Sequence, residues 1–235
     1  MDNLKDKTVL ITGGTGALGN VVAERFMLYG AKIATSYIFE DELRRLSENF
    51  RKNVLSVRAD VTNEEEVAIL FRQIAKKYTK VDILINIVGG FVPGSNLKDV
   101  KLKDWEHMMN MNLKSVFLSS REFLRQIGDS TYGRIISMAA MTALKPVAGR
   151  SAYAISKAGV VTLTQVLGEE LKGTNITANA IAPSIIKTEV NVQSMPNEDF
   201  SKWVTPEEVA ETMLFLCSDQ GKSINGTCIP MFGGI

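Results

Sequence analysis

The feature of this sequence that most constrains its fold is an apolar run that leads directly into a glycine-rich turn. The run from Thr8 to Thr12 (TVLIT) is β-branched and apolar, which is typical of a parallel strand covered on both faces. The residues that follow read GGTGALG, and Gly14, Gly16 and Gly19 match the spacing G-x-G-x-x-G. Because a helical pattern comes next, backbone N–H groups and a helix N-terminus converge at this turn. The sequence therefore predicts a binding site for the pyrophosphate of a nucleotide.

The rest of the chain alternates apolar strands with helical patterns. Further strands are predicted at 31–37, 54–57, 81–88, 135–138, 176–181 and 227–231. Helices are predicted up to Tyr29, at 41–50, 64–78, 104–126 and 206–217, and around Tyr153. This alternation predicts an α/β fold of Rossmann type, a doubly wound sheet of about seven parallel strands with helices on both faces. With 235 residues, of which 45% are hydrophobic, we expect a single domain over residues 1–235.

Composition argues against several functional classes. The formal net charge is +1, so no nucleic-acid surface is predicted, and no apolar run approaches the length that spans a membrane. Cys217 and Cys228 are interpreted as core residues in a reducing compartment rather than as a disulfide. His107 has no partners at metal-ligand spacing, so no metal site is predicted. Because the N-terminus also lacks an apolar signal core, we expect a soluble cytoplasmic protein.

Tyr153 and Lys157 are the pair with the clearest chemical potential. They lie four residues apart in a helical pattern and therefore share one helix face. A phenol, with an unperturbed pKa of about 10, donates a proton poorly near neutrality. A neighbouring ammonium favours the phenolate, so we expect Lys157 to lower the pKa of Tyr153 and make it a usable acid. A solvated helix face explains the spacing alone, but the nucleotide-binding pattern upstream favours catalysis.

The end of the second predicted strand bears on the choice of nucleotide. In dinucleotide folds an Asp or Glu about 20 residues past the glycines hydrogen-bonds the ribose 2′-hydroxyl and repels a 2′-phosphate. Tyr37 stands at this position, so no acid excludes NADP(H) there. Arg44 and Arg45 are candidates for holding the phosphate, although a solvated helix face explains them as well. The prediction is NADP(H) or NAD(H), with a slight preference for NADP(H).

With these pieces placed, the chain resembles the short-chain dehydrogenase/reductase family along essentially its whole length. The matching motifs occur in the family's order and are Thr12-Gly13 through Gly19, Asp60-Val61, Asn86 with Gly89, Asn112, Tyr153-x-x-x-Lys157, Pro183 with Thr188, and Phe232-Gly233-Gly234. The resemblance implies a nicotinamide cofactor, a small-molecule substrate and assembly into a homodimer or homotetramer. The cofactor contacts that it implies are Gly13, Thr15, Gly16, Ala17, Leu18, Gly19, Tyr37, Asp60, Val61, Asn86, Val88, Gly89, Tyr153, Lys157, Pro183, Ser184, Ile186 and Thr188.

Three departures from the family pattern bear on function. Ala17 replaces the middle of three spaced glycines, and the adenine-side Asn-Asn-Ala-Gly becomes Asn-Ile-Val-Gly at residues 86–89. The family's catalytic serine lies thirteen residues before the tyrosine, where this chain has Ala140. Ser137 lies three residues earlier, but strand alternation points its side chain in a different direction. The usual second hydroxyl donor is therefore missing.

One branch of the family, the dihydropteridine reductases, also lacks that serine. This branch has a similar glycine turn, a glycine pair like Gly89-Gly90, and alanine at the position of Ala140. The segment 194–203 (SMPNEDFSKW) resembles the lid segment of these enzymes. Asn112 and Tyr37 depart from the branch, so the resemblance implies a relative of these enzymes without fixing the substrate.

The resemblance implies hydride transfer with Tyr153 as proton donor, Lys157 on the nicotinamide ribose, and Asn112 holding a water of the proton relay. Because Ala140 supplies no donor, an acceptor that is already activated, such as a quinonoid dihydropteridine, is favoured over a simple ketone. The stretch 188–203 has no clear periodicity and is a candidate lid. Substrate contacts are predicted at Phe91, Ala140, Met195 and Trp203.

Two alternatives remain open at this point. A 3-oxoacyl or carbonyl reductase needs Ser137, Thr142 or a water to replace the missing donor. A non-catalytic nucleotide-binding scaffold on the same fold accounts for Ala140, but the retained tyrosine–lysine pair weighs against it.

Overall fold

The computed structural model describes residues 4–128 and 132–235. Within these residues seven strands form one sheet, namely β1 (Thr8–Thr12), β2 (Lys32–Tyr37), β3 (Val54–Arg58), β4 (Ile83–Asn86), β5 (Gly133–Met138), β6 (Ile176–Pro183) and β7 (Cys228–Met231). Every neighbouring pair is parallel, in the order β3-β2-β1-β4-β5-β6-β7. The strand order reverses at β1, because the chain passes from β3 to β4 across it. Ligands bind at the carboxyl ends of the strands beside such a switch point.

The described helices cover both faces of the sheet. They are α1 (Ala17–Leu28), α2 (Glu40–Arg44), α3 (Glu48–Asn53), α4 (Glu64–Tyr78), α5 (Leu102–Met109), α6 (Ser115–Ile127), α7 (Met141–Leu144), α8 (Ser151–Glu170), α9 (Glu189–Ser194) and α10 (Pro206–Cys217). Helices α1 and α10 pack against each other on one face, and α4 packs against α6 on the other. The predicted doubly wound parallel fold is confirmed.

Strand β1 shows why the sheet needs helices on both sides. All five of its residues are buried, and successive side chains point to opposite faces. Val9 and Ile11 pack in the cluster that contains Phe26 of α1. Leu10 packs in the other cluster, with Phe71 of α4. A strand with no polar face is stable only when both faces are covered, as in parallel sheets.

The structure differs from the sequence-based prediction in how three helical segments are divided. The helix predicted at 41–50 is two helices, because the Ser47 hydroxyl accepts a hydrogen bond from the Phe50 amide and caps a new start. The helix predicted at 104–126 contains a π-helical segment, Asn110–Lys114, between α5 and α6. The candidate lid is partly helical, since it holds α9 and a 3₁₀ turn at Phe200–Lys202.

No helix in the described part of the chain combines the length and apolar character needed to cross a lipid bilayer.

Candidate active site

The turn between β1 and α1 depends on glycine for two different reasons. Gly13 has a φ of +75°, a conformation that side-chain-bearing residues rarely adopt. At Gly19 a β-carbon would lie 2.2 Å from the Gly13 carbonyl oxygen, so only glycine allows the first turn of α1 to pack there. Gly16 is exposed and is the N-cap of α1, without a side-chain hydrogen bond to the first turn. The helix N-terminus is therefore presented to an incoming anion without a competing side chain.

A cleft of about 480 Å³ extends from this turn along the ends of β2, β3 and β4. Its lining includes five of the predicted cofactor residues, Gly13, Tyr37, Asp60, Val61 and Val88. The remaining lining residues are Ser36, Ile38, Glu42, Ala59, Thr62, His107, Asn110, Met111 and Lys114.

Two interactions fix the Asp60 turn within this cleft. The Asp60 carboxylate accepts hydrogen bonds from the amide and the hydroxyl of Thr62, both at 2.8 Å. The Asp60 amide donates to the Glu66 carboxylate of α4, also at 2.8 Å. The backbone after β3 is thereby held in place beside Val61.

The Asn86 side chain is engaged within the protein. Its side chain is buried, and its amide donates to the hydroxyls of Ser120 and Ser137 at 3.3 and 3.2 Å. Asn86 lies two residues after Leu84 on β4, so both side chains point to the same face of the sheet, towards the α4–α6 layer. The Asn86 side chain does not line the nucleotide cleft. In this structure it joins β4 to β5 and α6.

Lys157, Asn112 and Gly89 meet at the ends of β4 and β5. The Lys157 ammonium is buried and donates to the Met138 carbonyl at 2.8 Å. A β-carbon on Gly89 would lie 2.9 Å from Asn112 Oδ1 and 3.1 Å from Lys157 Nζ. Glycine at position 89 thus allows the end of β4 to lie against both the π-helical segment Asn110–Lys114 and helix α8. Burial lowers the pKa of Lys157 to about 8.

The Asn112 side chain is held by four hydrogen bonds, one of which runs from its Nδ2 to Met108 Sδ at 3.6 Å. Its Oδ1 accepts from the Gly90 amide at 2.8 Å, and its Nδ2 donates to the Gly90 carbonyl at 3.1 Å and to Ser156 Oγ at 3.0 Å. Ser156 in turn donates to the Tyr153 carbonyl at 2.8 Å. The Asn112 amide therefore connects Gly90 to α8.

Tyr153 lies at the open end of this cluster. The Phe91 ring packs edge-on against the Tyr153 ring, with ring centroids 5.2 Å apart. The Arg150 guanidinium lies over the same Phe91 ring, 5.4 Å from its centroid. Burial raises the pKa of Tyr153, and the charge of Arg150 only partly opposes this. The expectation that Lys157 lowers this pKa is not met here, because the Lys157 side chain extends to Met138.

The hydroxyls of Ser137 and Thr142, the two side chains considered as substitutes for a serine at position 140, differ in their hydrogen bonding. Ala140 is buried at the start of α7 and offers only a methyl group. Ser137 is turned to the α6 side, where its hydroxyl accepts the bond from Asn86. The Thr142 hydroxyl is buried and has no hydrogen-bond partner among the described residues. Of the two protein hydroxyls considered as substitutes, Thr142 is therefore the one not already engaged.

In the segment after β6, the predicted cofactor residues Ser184, Ile186 and Thr188 stabilise the local backbone. The Ser184 hydroxyl donates to the Phe232 carbonyl at 2.9 Å, next to Pro183 at the end of β6. Ile186 pairs with Val204, which closes the base of the candidate lid. Thr188 caps α9, and Met195 ends it half-buried.

Trp203, which is predicted to contact substrate, is buried at the base of the candidate lid. It is 5% exposed and packs edge-on against Phe200 at 4.8 Å. The cleft that it lines also contains Arg25 and Glu211, which join α1 to α10, and Tyr153 is not part of this cleft. An indole needs extensive burial for stability, and here the lid base supplies that burial.

A family model described as short chain dehydrogenase matches residues 7–199. The chain belongs to the short-chain dehydrogenase family. The NAD-dependent glycerol dehydrogenase of Listeria innocua is 32% identical over 99% of this chain and 94% of its own length. The 3-oxoacyl-[acyl-carrier-protein] reductase FabG of Rickettsia felis is 30% identical over 100% and 99%. A solved structure of an ElxO variant with NADPH bound has a TM-score of 0.90 at 26% identity, over 97% of this chain and 98% of its own.

The residues of this short-chain dehydrogenase fit the NAD(P)(H) cofactor of its family. The side-chain-free N-cap at Gly16 suits a pyrophosphate, and the cleft along β2 and β3 suits the adenosine half. Lys157 and Tyr153 lie at the other end, where a nicotinamide would react. The chain is thus an NAD(P)(H)-dependent oxidoreductase. When bound, the nicotinamide supplies or accepts the hydride.

Sequence reasoning missed two residues of this short-chain dehydrogenase. Ser156 was overlooked because a serine inside a helix carries no signal until its neighbour across the interface, Asn112, is known. Glu42 was overlooked because an acidic helix start ordinarily reads as a cap. Its contact with Thr15 of the glycine turn appears only in three dimensions.

Proposed function

We propose that this short-chain dehydrogenase transfers hydride from NADH or NADPH to a small acceptor, either a quinonoid dihydropteridine-like ring or a small activated carbonyl. One observation carries the proposal. Asn112 and Lys157 converge on Gly89, Tyr153 lies one helical turn before Lys157 on α8, and Ala140 itself carries no hydroxyl.

Tyr153 is the proposed proton donor. Burial raises the pKa of its phenol, so Tyr153 is neutral at physiological pH and holds its proton until negative charge develops on the acceptor. The Met138 carbonyl holds the buried Lys157 ammonium in place, and the proposed role of Lys157 is to hydrogen-bond the nicotinamide ribose. The Asn112 amide positions Gly90 and α8, so its part is to hold the geometry of the cluster.

The missing second donor selects the acceptor. Reduction of a simple ketone develops charge on one oxygen, and loss of one donor to such an oxygen typically costs ~10²–10³ in rate. A quinonoid ring spreads the charge and regains conjugation, so it needs less help from the protein. Ala140 therefore favours activated acceptors.

A 3-oxoacyl or carbonyl reductase is the second candidate. The FabG relative supports it, and so does the buried Thr142 hydroxyl without a partner among the described residues. In this case Thr142 donates to the substrate carbonyl in place of the serine.

We also propose that the chain forms a homodimer or homotetramer through α6 and α8. Phe117 on α6 is 41% exposed, and Ile155 and Val166 on α8 are 48% and 46% exposed. Light scattering of wild type and of Phe117→Glu tests this assembly, and a wild-type monomer would contradict it.

The substrate proposal is tested by following nicotinamide oxidation at 340 nm with NADH and NADPH in parallel. The acceptors are a quinonoid dihydropteridine, a 3-oxoacyl thioester and an aliphatic ketone. We expect turnover of the quinonoid compound by wild type, and a gain on the ketone of roughly 10²-fold in Ala140→Ser. Efficient wild-type turnover of the ketone contradicts the proposal. Efficient turnover of the thioester that Thr142→Val abolishes establishes the second candidate instead.

A further inference from the structure

Glu42 has the most connected carboxylate of the nucleotide cleft. Its Oε1 accepts hydrogen bonds from the amides of Ile38 and Phe39 at 3.0 and 2.9 Å. Its Oε2 accepts from the Thr15 hydroxyl at 2.5 Å. Thr15 belongs to the glycine turn, and Ile38 follows the end of β2, so one carboxylate joins the two walls of the adenosine end of the cleft.

A helix cap explains only part of this arrangement. The bond to the Phe39 amide completes a capping box at the start of α2, in which Phe39 is the N-cap. The bonds to Ile38 and to Thr15 reach outside the helix. The contact with Thr15 crosses from one strand–turn unit to the next, where a cap has no function.

The three donors are of the kind that bind phosphate oxygens. Two consecutive backbone amides and a hydroxyl around one anion resemble the concave backbone sites that hold phosphate groups. In this chain the donors are already occupied by a carboxylate. Burial opposes ionisation of Glu42, but the bonds from Thr15, Phe39 and Ile38, together with the charge of Arg45, outweigh it and lower its pKa. Glu42 is therefore anionic at neutral pH.

The two arginines that the sequence offered for a 2′-phosphate each act on an acid of the α2 segment. Arg44 pairs with Asp41 at 3.1 Å on the solvent side of α2. Arg45 exerts its charge on Glu42 itself. Tyr37, at the position of the usual ribose-binding acid, donates its hydroxyl to Glu40 at 2.8 Å. Glu40 and Glu42 thus stand at the end of β2, and the cations whose charges act on this end are Arg45 on Glu42 and Arg58 on Tyr37.

We propose that Glu42 sets the cofactor preference of this enzyme for NAD(H) over NADP(H). Its carboxylate occupies the donors that a 2′-phosphate would need and repels the phosphate, while a ribose 2′-hydroxyl can donate to it. This reverses the slight preference for NADP(H) predicted from Tyr37 and the two arginines. The inference rests on the proposed function, because it assumes that a nicotinamide nucleotide binds at the glycine turn.

Equilibrium binding of NADH and NADPH, followed by fluorescence titration without any acceptor, tests this inference. For wild type we expect NADH to bind at least about tenfold more tightly, since a like charge against the wrong ligand is a strong means of discrimination. In Glu42→Gln the ratio of the two dissociation constants should shift by about tenfold or more towards NADPH. Glutamine still accepts the capping-box hydrogen bond, so α2 keeps its start.

Glu48→Gln is the matched control. The substitution Glu48→Gln changes the net charge by the same amount as Glu42→Gln. Glu48 is exposed on α3, pairs with Lys52 and lies outside the cleft. It should leave the ratio of dissociation constants within about twofold of wild type, as surface charges contribute little.

Two results would overturn the inference. Wild-type protein that binds NADPH more tightly than NADH, or binds both equally tightly, contradicts the inference, and this measurement needs no variant to fold. A Glu42→Gln ratio equal to that of Glu48→Gln also contradicts it. Binding of both nucleotides without discrimination leaves the proposed function intact, whereas binding of neither removes the proposed function together with the inference.

Discussion

The two ends of the active cleft are built in different ways. The nucleotide side, formed by the glycine turn and the ends of β2 and β3, is shaped by backbone atoms that pack too closely for side chains, as at Gly19. The reaction side, formed by the ends of β4 and β5 with α8, is shaped by side chains such as Tyr153, Lys157 and Phe91. A site built from closely packed backbone tolerates few substitutions, whereas a single substitution changes the chemistry of a site built from side chains. Ala140 is the example on the reaction side, because its methyl group leaves out the hydroxyl donor that a serine would supply.

The largest expected effect separates the two sides directly. Tyr153→Phe removes the proposed proton donor, so kcat should fall by about 10²–10⁴-fold. The dissociation constant for the preferred nucleotide should stay within about twofold, because removal of one hydroxyl leaves the backbone site unchanged. Steady-state kinetics and nucleotide titration on the same preparation measure both. Near-normal turnover would remove Tyr153 from the mechanism, and lost nucleotide binding would show that the two sides are not separable.

The second prediction breaks the nucleotide side. Gly19→Ala brings a β-carbon to 2.2 Å from the Gly13 carbonyl oxygen. The forced backbone shift should lower the free energy of unfolding by about 1–3 kcal/mol. Gly16→Ala is the control, since its β-carbon would meet nothing closer than 3.4 Å, again the Gly13 oxygen. Urea unfolding of both variants checks this, and equal stability losses would contradict the close-packing argument.

The third prediction concerns the burial of a charge on the reaction side. Lys157 has a pKa lowered from 10.5 to about 8 in the folded protein, so its folding penalty is complete below about pH 8 and disappears as pH rises towards 10.5. Between about pH 7 and 9.5, wild type should therefore gain about 2 kcal/mol of stability relative to Lys157→Met. Unfolding free energies of both proteins at these pH values measure the difference. Parallel pH profiles would show that Lys157 is not penalised by burial.

The smallest expected effect is at the rim of the reaction side. Phe91 is 51% exposed and packs edge-on against Tyr153. Such a contact is worth ~0.5–1.5 kcal/mol, so Phe91→Leu should lower kcat/KM by about two- to tenfold. Nucleotide affinity is the internal control and should not change. An unaffected kcat/KM would mean that the ring does not orient Tyr153 during the reaction.

The same contrast explains what could be predicted from the sequence. The fold and the glycine turn were predictable because the local backbone geometry requires glycine at positions 13 and 19. Such a requirement is visible in the sequence as glycines at a fixed separation. The Tyr153–Lys157 pair was predictable because helical spacing places both on one face. These features depend on residues that are near one another in sequence.

The features that spacing along the chain could not indicate depend on the folded arrangement of side chains. Glu42 reaches Thr15 only because α2 folds back towards the glycine turn. The burial of Trp203 depends on its packing against Phe200 and on the neighbouring Ile186–Val204 pairing in the lid base. The pKa of Tyr153 was expected to fall, and burial, which no spacing reports, raises it. Side-chain direction and desolvation are properties of the assembled molecule.

The central position of β1 has a consequence for how the protein is made. Thr12 pairs with Ser36 of β2 on one side and with Asn86 of β4 on the other. On the ribosome, β2 emerges soon after β1, but β4 emerges only after α4 has been synthesised. Until then an apolar strand presents an open edge, which is a template for pairing with another nascent chain. We therefore expect dilution or chaperone capture during this interval to determine the yield of soluble protein, even though the finished sheet buries β1 completely.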